Sequence, residues 1–176
     1  MAEQAANYIS LDVQERFRNQ AVNVWIAASA VVAVWVAFIV AAPLISIAGI
    51  SGSSPIYTFF SYICHQIPER SLHLAGHQLA VCSRCFGVYM GLLGGMLLYP
   101  LWRPVGEIEP IPRFWLFLAL VPISIDWSLT LFGIWENTHA SRFITGLILG
   151  GACATFIVPA LVEIVRNFSY RSSRAR

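Results

Sequence analysis

The chain has 176 residues, 57% of them hydrophobic and 11% charged, with a net charge of +2 and a mean hydropathy of +0.67. Soluble domains carry about a quarter charged residues, so this chain lacks the polar surface of a soluble globule, and its apolar content excludes disorder. All basic residues are arginine and none forms a long run, which excludes a nucleic-acid partner and leaves a multi-pass membrane protein of one compact domain.

Residues 1–21 read as an N-terminal cytoplasmic or interfacial segment. Ile9, Val13, Phe17 and Ala21 recur near helical spacing, with Arg16 and Arg18 off that line. Such a pattern predicts a short amphipathic helix on the membrane surface; a frayed tail is the plain alternative. Glu3, Asp12 and Glu15 precede a long apolar run, which argues for a retained anchor rather than a cleaved signal peptide.

Four segments each hold about 20 mostly apolar residues, the length a spanning helix needs: 22–50, 79–102, 114–135 and 143–165. Their apolar runs are continuous rather than alternating, which excludes a β-barrel. The expected architecture is an all-α, integral membrane four-helix bundle over 22–166, with a basic C-terminal tail over 167–176. Gly87, Gly91 and Gly95 line up in the second span, and Gly146, Gly150 and Ala154 in the fourth. Small residues one turn apart let helices approach closely in lipid. Contact between these two spans is the simplest use; a homo-oligomer or a larger membrane complex built on the ridges is the rival. Pro122 and Pro159 fall inside spans, and the six tryptophans fall mostly near span ends, as interfacial anchors do.

Orientation follows from arginine placement. Arg16, Arg18, Arg103, Arg113, Arg166, Arg171, Arg174 and Arg176 share one side; Arg70, Arg84 and Arg142 share the other. This asymmetry predicts a cell-membrane protein with both termini cytoplasmic and the loops at 51–78 and 136–142 facing outward.

The polar chemistry collects in the first outer loop. Cys64, His65, His73, His77, Cys82 and Cys85 all lie there or at the start of the second span. Cys82 and Cys85, three apart at a helix start, place both sulfurs on one face, and a helix N-terminus favours thiolate. Two thiolates on one face are half of a tetrahedral metal site. Cys64 returns through the loop as a third ligand and a histidine supplies the fourth; His65 is the leading candidate, although adjacent ligands require a sharp bend. Zinc is the default metal for mixed Cys/His ligation, with iron and copper as alternatives. A redox dithiol at Cys82 and Cys85, or a structural staple, uses the same residues. Cys153, deep in the fourth span on the glycine face, reads as a packing residue.

Asp126 lies inside the third span, about 13 Å of helix from its end. An intramembrane carboxylate needs a partner or a polar cavity, and Arg84 and Arg142 can both reach it. These three are the candidate catalytic residues if the site is an enzyme; a structural ion pair is the plain reading. Ser141 is placed to cap the fourth span, and His139 is a secondary ligand candidate.

The set from Cys64-His65-Gln66 through Pro68, Arg70 and Ser71, then Cys82, Arg84, Cys85, Gly87, Tyr89 and Gly91, then Asp126 and Arg142, Thr145 and Gly146 resembles a family of small prokaryotic multi-pass membrane proteins of unknown function. Its pattern reads Cys-His-Gln-x-Pro-x-Arg-Ser, then Cys-x-Arg-Cys-x-Gly-x-Tyr-x-Gly. Trp127, Thr130 and His139 depart from that pattern. The resemblance implies that the residue set recurs as a unit and supplies no activity. The functional expectation is therefore a metal-binding membrane protein with ligands Cys64, His65, Cys82 and Cys85, acting as a metalloenzyme on a membrane-borne substrate. A thiol–disulfide oxidoreductase and a structural accessory subunit are the alternatives.

Overall fold

The computed structural model describes residues 11–49, 54–109 and 111–174. Five α-helices dominate: α1 (Leu11–Ile47), the short α2 (Ser54–Ser61), α3 (Ser83–Trp102), α4 (Phe114–Leu131) and α5 (His139–Arg174). Four of them, all but α2, are long and apolar enough to cross a membrane. The fold is an all-α membrane bundle. Large apolar side chains such as Val31, Phe38, Leu101 and Phe117 are more than half exposed on its outside, which suits a lipid-facing surface and no aqueous one.

The centre of the bundle is the α3–α5 pair. A Cβ added at Gly87 would run into the Phe143 carbonyl, one at Gly91 into Leu147, one at Gly146 into Arg84 and one at Gly150 into Val88. At Gly95 it would meet the Cβ of Ala154 at 2.7 Å. The two ridges thus face each other within one chain. Of the two uses expected of the ridges, the simpler one, contact between these two spans, is the one their backbones make.

The described part of the N-terminal segment is no separate surface helix; the earlier residues of 1–21 lie outside the described residues. From Leu11 the chain runs unbroken through α1 for 37 residues, about 55 Å against an apolar bilayer core of about 30 Å. Its first turns pack on the end of the equally long α5. The Gln20 amide donates to Ser169 Oγ at 2.7 Å, and the Arg166 guanidinium sits 4.9 Å over the Phe17 ring. A partner helix satisfies this stretch, so it need not lie flat. Further along α1, the Trp25 indole donates to the Met96 carbonyl at 2.7 Å, and Trp35 packs on Phe59, Phe60 and Tyr89. Both tryptophans serve packing within the bundle rather than interfacial anchoring.

Span boundaries differ from the apolar windows for local reasons. Leu79, Ala80 and Val81 are buried but not helical; they fill a small core with Ile39, Ala42 and Phe60 instead of starting α3. α4 stops at Leu131 because Gly133, at φ +67°, turns the chain left-handed. Ile134 N–H then donates to the Leu129 carbonyl at 3.0 Å and closes the helix end. α5 begins earlier than expected, since Thr138 rather than Ser141 is its cap: Thr138 Oγ1 accepts from Ser141 N–H at 3.1 Å. These boundaries release 132–138 to fold back over the same end of the bundle as the 62–82 loop.

Candidate metal centre

Two segments, joined by a loop, deliver the cysteines. Cys64 lies three residues after the end of α2; its N–H donates to the Phe60 carbonyl at 2.9 Å, and its side chain is buried in the small core. Two residues on, Gln66 takes φ +50°, the sharp reversal that a non-glycine residue adopts at some cost. Its amide holds the reversal by donating to the carbonyls of Tyr57 and Ala80, each at 2.8 Å. The Gln78 amide donates back to the Gln66 carbonyl at 2.7 Å. Between them a two-residue turn, Ala75-Gly76, closes a minimal hairpin of β1 (His73–Leu74) and β2 (His77–Gln78), with both central residues at positive φ. The chain then returns to Cys82, the residue before α3, and Cys85 in its first turn.

The result is one sulfur cluster. The ligand atoms of Cys64, Cys82 and Cys85 all lie within 4.8 Å of one another. Cys82 N–H donates to Cys64 Sγ at 3.2 Å. Hydrogen bonds from the Cys82 and Cys85 thiols hold the Cys64 thiol well below its ordinary pKa; burial opposes the shift, and the Cys82 N–H supports it. All four cysteines are free, and Cys153 is outside the cluster.

The histidines are placed differently. His65 is exposed; it lines the cavity beside the sulfurs but is not one of the three clustered ligand groups. His73 and His77 are exposed on the hairpin. His139 Nδ1 sits 2.9 Å from the buried Ser83 hydroxyl, tying the start of α5 to the start of α3. That bond gives His139, a secondary ligand candidate, a structural partner.

Beside the cysteines runs a charged relay. Asp126, 9% exposed, is ion-paired with Arg84 through Oδ2. The Asn137 amide donates to the same oxygen at 2.8 Å, and the Arg142 Nε donates to Asn137 Oδ1 at 2.7 Å. Arg142 therefore reaches Asp126 through Asn137 rather than directly. Asn137 is the residue that sequence reasoning undervalued; its only signal was an amide just beyond a span that holds a carboxylate. Gln66 and Gln78 were equally undervalued as loop fasteners.

A cavity of about 600 Å³ separates the two groups, bounded by the three cysteines, His65, Arg70 and Arg142 among others. Its walls come from the 62–82 loop, the start of α3, the last turns of α4 and the start of α5. Three soft thiol donors on its edge, with one side open to a polar space, can hold a thiophilic metal ion and leave room for a further ligand.

The family described as Predicted membrane protein (DUF2085) matches residues 64–156. That stretch contains the sulfur cluster, the relay and the α3–α5 glycine contact. An uncharacterized protein of Methanocaldococcus jannaschii, MJ1492, is 39% identical over 110 residues, covering 62% of this chain and 70% of its own length. An uncharacterized protein of Methanothermobacter thermautotrophicus is 40% identical over 91 residues, covering 52% of this chain and 80% of its own. No solved structure matches the chain.

Proposed function

The chain belongs to the DUF2085 family of membrane proteins, and on that premise we propose that it is a membrane metalloprotein with a metal ion, zinc by default, on Cys64, Cys82 and Cys85. The observation that carries this reading is the convergence of three sulfurs from two distant segments within 4.8 Å. Zn–S bonds of about 2.3 Å in a tetrahedron put sulfurs about 3.8 Å apart, which small side-chain adjustments reach from this arrangement. The depressed Cys64 thiol and the Cys82 N–H bond to its sulfur both favour the thiolate that a metal needs.

The fourth position belongs to His65 or stays open toward the cavity. An open position would supply Lewis-acid chemistry to a bound substrate. The chain's own groups then have separate tasks. Asp126 fixes Arg84, and Asn137 transmits that fixation to Arg142, so both guanidiniums are held at the cavity wall. A metalloenzyme acting on a membrane-borne substrate uses this layout. The arginine asymmetry supports a cell-membrane location with both termini cytoplasmic and the site at the outer face.

A second reading, thiol–disulfide exchange at Cys82 and Cys85, draws support from both being free and partly exposed. Cobalt(II) loading separates the two. The metal reading expects sulfur-to-cobalt charge-transfer absorption that weakens in Cys64→Ser and vanishes in the Cys82→Ser/Cys85→Ser double variant. His65→Ala shifts the cobalt ligand-field bands if His65 is the fourth ligand and leaves them in place if the position is open. Absence of any charge-transfer band in reduced wild-type protein contradicts the metal reading.

A further inference from the structure

The metal centre does not account for the charge of its cavity. Arg70, Arg84 and Arg142 all line it. Among the described residues one carboxylate answers them, Asp126, and it is committed to Arg84 and Asn137. Arg142 donates to the neutral amide oxygen of Asn137, while Arg70 has no side-chain acceptor among the described residues. The Arg84 Nε is buried without an acceptor. Three guanidinium charges against one carboxylate leave two positive charges. Three thiolates with a divalent metal contribute one negative charge, so one positive charge remains uncompensated even in the loaded site.

One wall of the same cavity is of the opposite kind. Trp127 and Leu131 line it from the last turns of α4 and are 56% and 60% exposed. On a membrane-spanning helix that exposure is to lipid, and at the helix end it falls at headgroup depth. The cavity therefore joins a cationic, partly desolvated interior to an opening onto the bilayer. Guanidiniums bind phosphate and carboxylate oxygens through charge-assisted hydrogen bonds.

We infer that the cavity binds an anionic amphiphile. Its phosphate or carboxylate headgroup sits between Arg70 and Arg142, and its apolar part lies along Trp127 and Leu131. This builds on the metal-centre reading by placing the headgroup at the open side of that centre. The substrate class of the site is then a lipid-borne anion.

The test titrates the full chain in uncharged detergent with dioctanoyl phosphatidate, with dioctanoylglycerol and with inorganic phosphate. Tryptophan fluorescence reports binding, Trp127→Phe identifies the reporter, and metal content is measured on the same samples. Saturable phosphatidate binding at least about tenfold tighter than dioctanoylglycerol is expected, about tenfold weaker in Arg142→Gln and in Arg70→Gln. Arg70 lies on an exposed turn, so its variant keeps the test free of folding effects. Arg113→Gln, at the other end of the bundle, should bind like wild type. Equal binding of inorganic phosphate and phosphatidate would reassign the site to a free anion and overturn the lipid assignment. No phosphatidate preference in metal-loaded protein overturns the inference and leaves the metal centre standing. Phosphatidate binding in protein that takes up no metal supports the inference and removes the metal centre.

Discussion

At the scale of single residues, the site depends on side chains held in unusual states. Cys64 is buried, yet hydrogen bonds from its two neighbouring thiols favour its ionised form. Metal binding at neutral pH should therefore release about two protons rather than three, because one ligand is already deprotonated. Isothermal titration in buffers of differing ionisation enthalpy measures that number; three protons would show Cys64 to be an ordinary thiol. Asp126 makes a second residue-scale prediction. Asp126→Leu leaves Arg84 without its counter-charge at a largely buried position, a loss of about 3 kcal/mol. Thermal unfolding in detergent should show a marked fall in Tm for that variant, and partial recovery when Arg84→Leu is added. A double variant that falls further, by the sum of the two single losses, would mean that the two residues act independently.

The cysteines were legible in the sequence because their spacing at a helix start constrains where the sulfurs point. Asp126 was legible because a carboxylate in an apolar helix requires a partner, although both arginines fitted and only the path of 132–138 decides between them. That path depends on Gly133 and Thr138, whose effects are on backbone direction and leave no apolar pattern. His65 shows the limit of adjacency. Neighbouring residues can both reach one metal only if the backbone bends for them, and here the left-handed residue is Gln66, which turns the chain after His65.

At the scale of elements, the α3–α5 contact holds the bundle together and aims the site. Gly91 and Gly150 meet the opposing backbone, whereas Gly94 has open space. Gly91→Ala and Gly150→Ala should each cost about 1–3 kcal/mol through overpacking, and Gly94→Ala should be close to neutral. Thermal unfolding of the three variants checks the contrast. Comparable losses at Gly94 would place the helix contact on another face. The same contact carries Arg84 and Arg142 on facing helices, so a shift of one turn at the glycines would separate Ser83 from His139 and displace Arg84 relative to Arg142. The ridges were readable from small residues at four-residue spacing. The misread start of the second span has an equally physical cause. An apolar window does not distinguish a membrane helix from a non-helical segment buried in a core, and Leu79–Val81 are the latter. The short helix α2 was missed because eight residues make about two turns, and its apolar set of Ile56, Tyr57, Phe59 and Phe60 is too short to stand out from the surrounding loop.

At the scale of the whole molecule, four spans put both described ends of the chain on one side and the cysteine loop on the other. The proposed orientation follows from the arginine distribution and is testable. A C-terminal fluorescent-protein fusion should fluoresce, and a C-terminal alkaline phosphatase fusion should stay inactive. Active phosphatase would invert the account and place the thiols in a reducing compartment, where metal ligation is favoured over disulfide chemistry. The architecture is economical: α1 and α5 form the scaffold with α3, while only Ala119 and Asp126 of α4 are buried. That helix is tied to the site through Arg84 and Asn137, so the relay also keeps the cavity's lipid-side wall in place.

The central claim is a metal ion on Cys64, Cys82 and Cys85. Its most direct test is metal content by mass spectrometry, with a thiol count on the same sample, on protein purified in mild detergent without chelator. The account predicts about one metal ion per chain, lost in Cys82→Ser/Cys85→Ser, with no disulfide in the wild type. Absence of metal with two thiols missing from the count would contradict it and indicate a redox dithiol. Absence of metal with all thiols free would contradict it too and leave the cluster as a structural element of the fold.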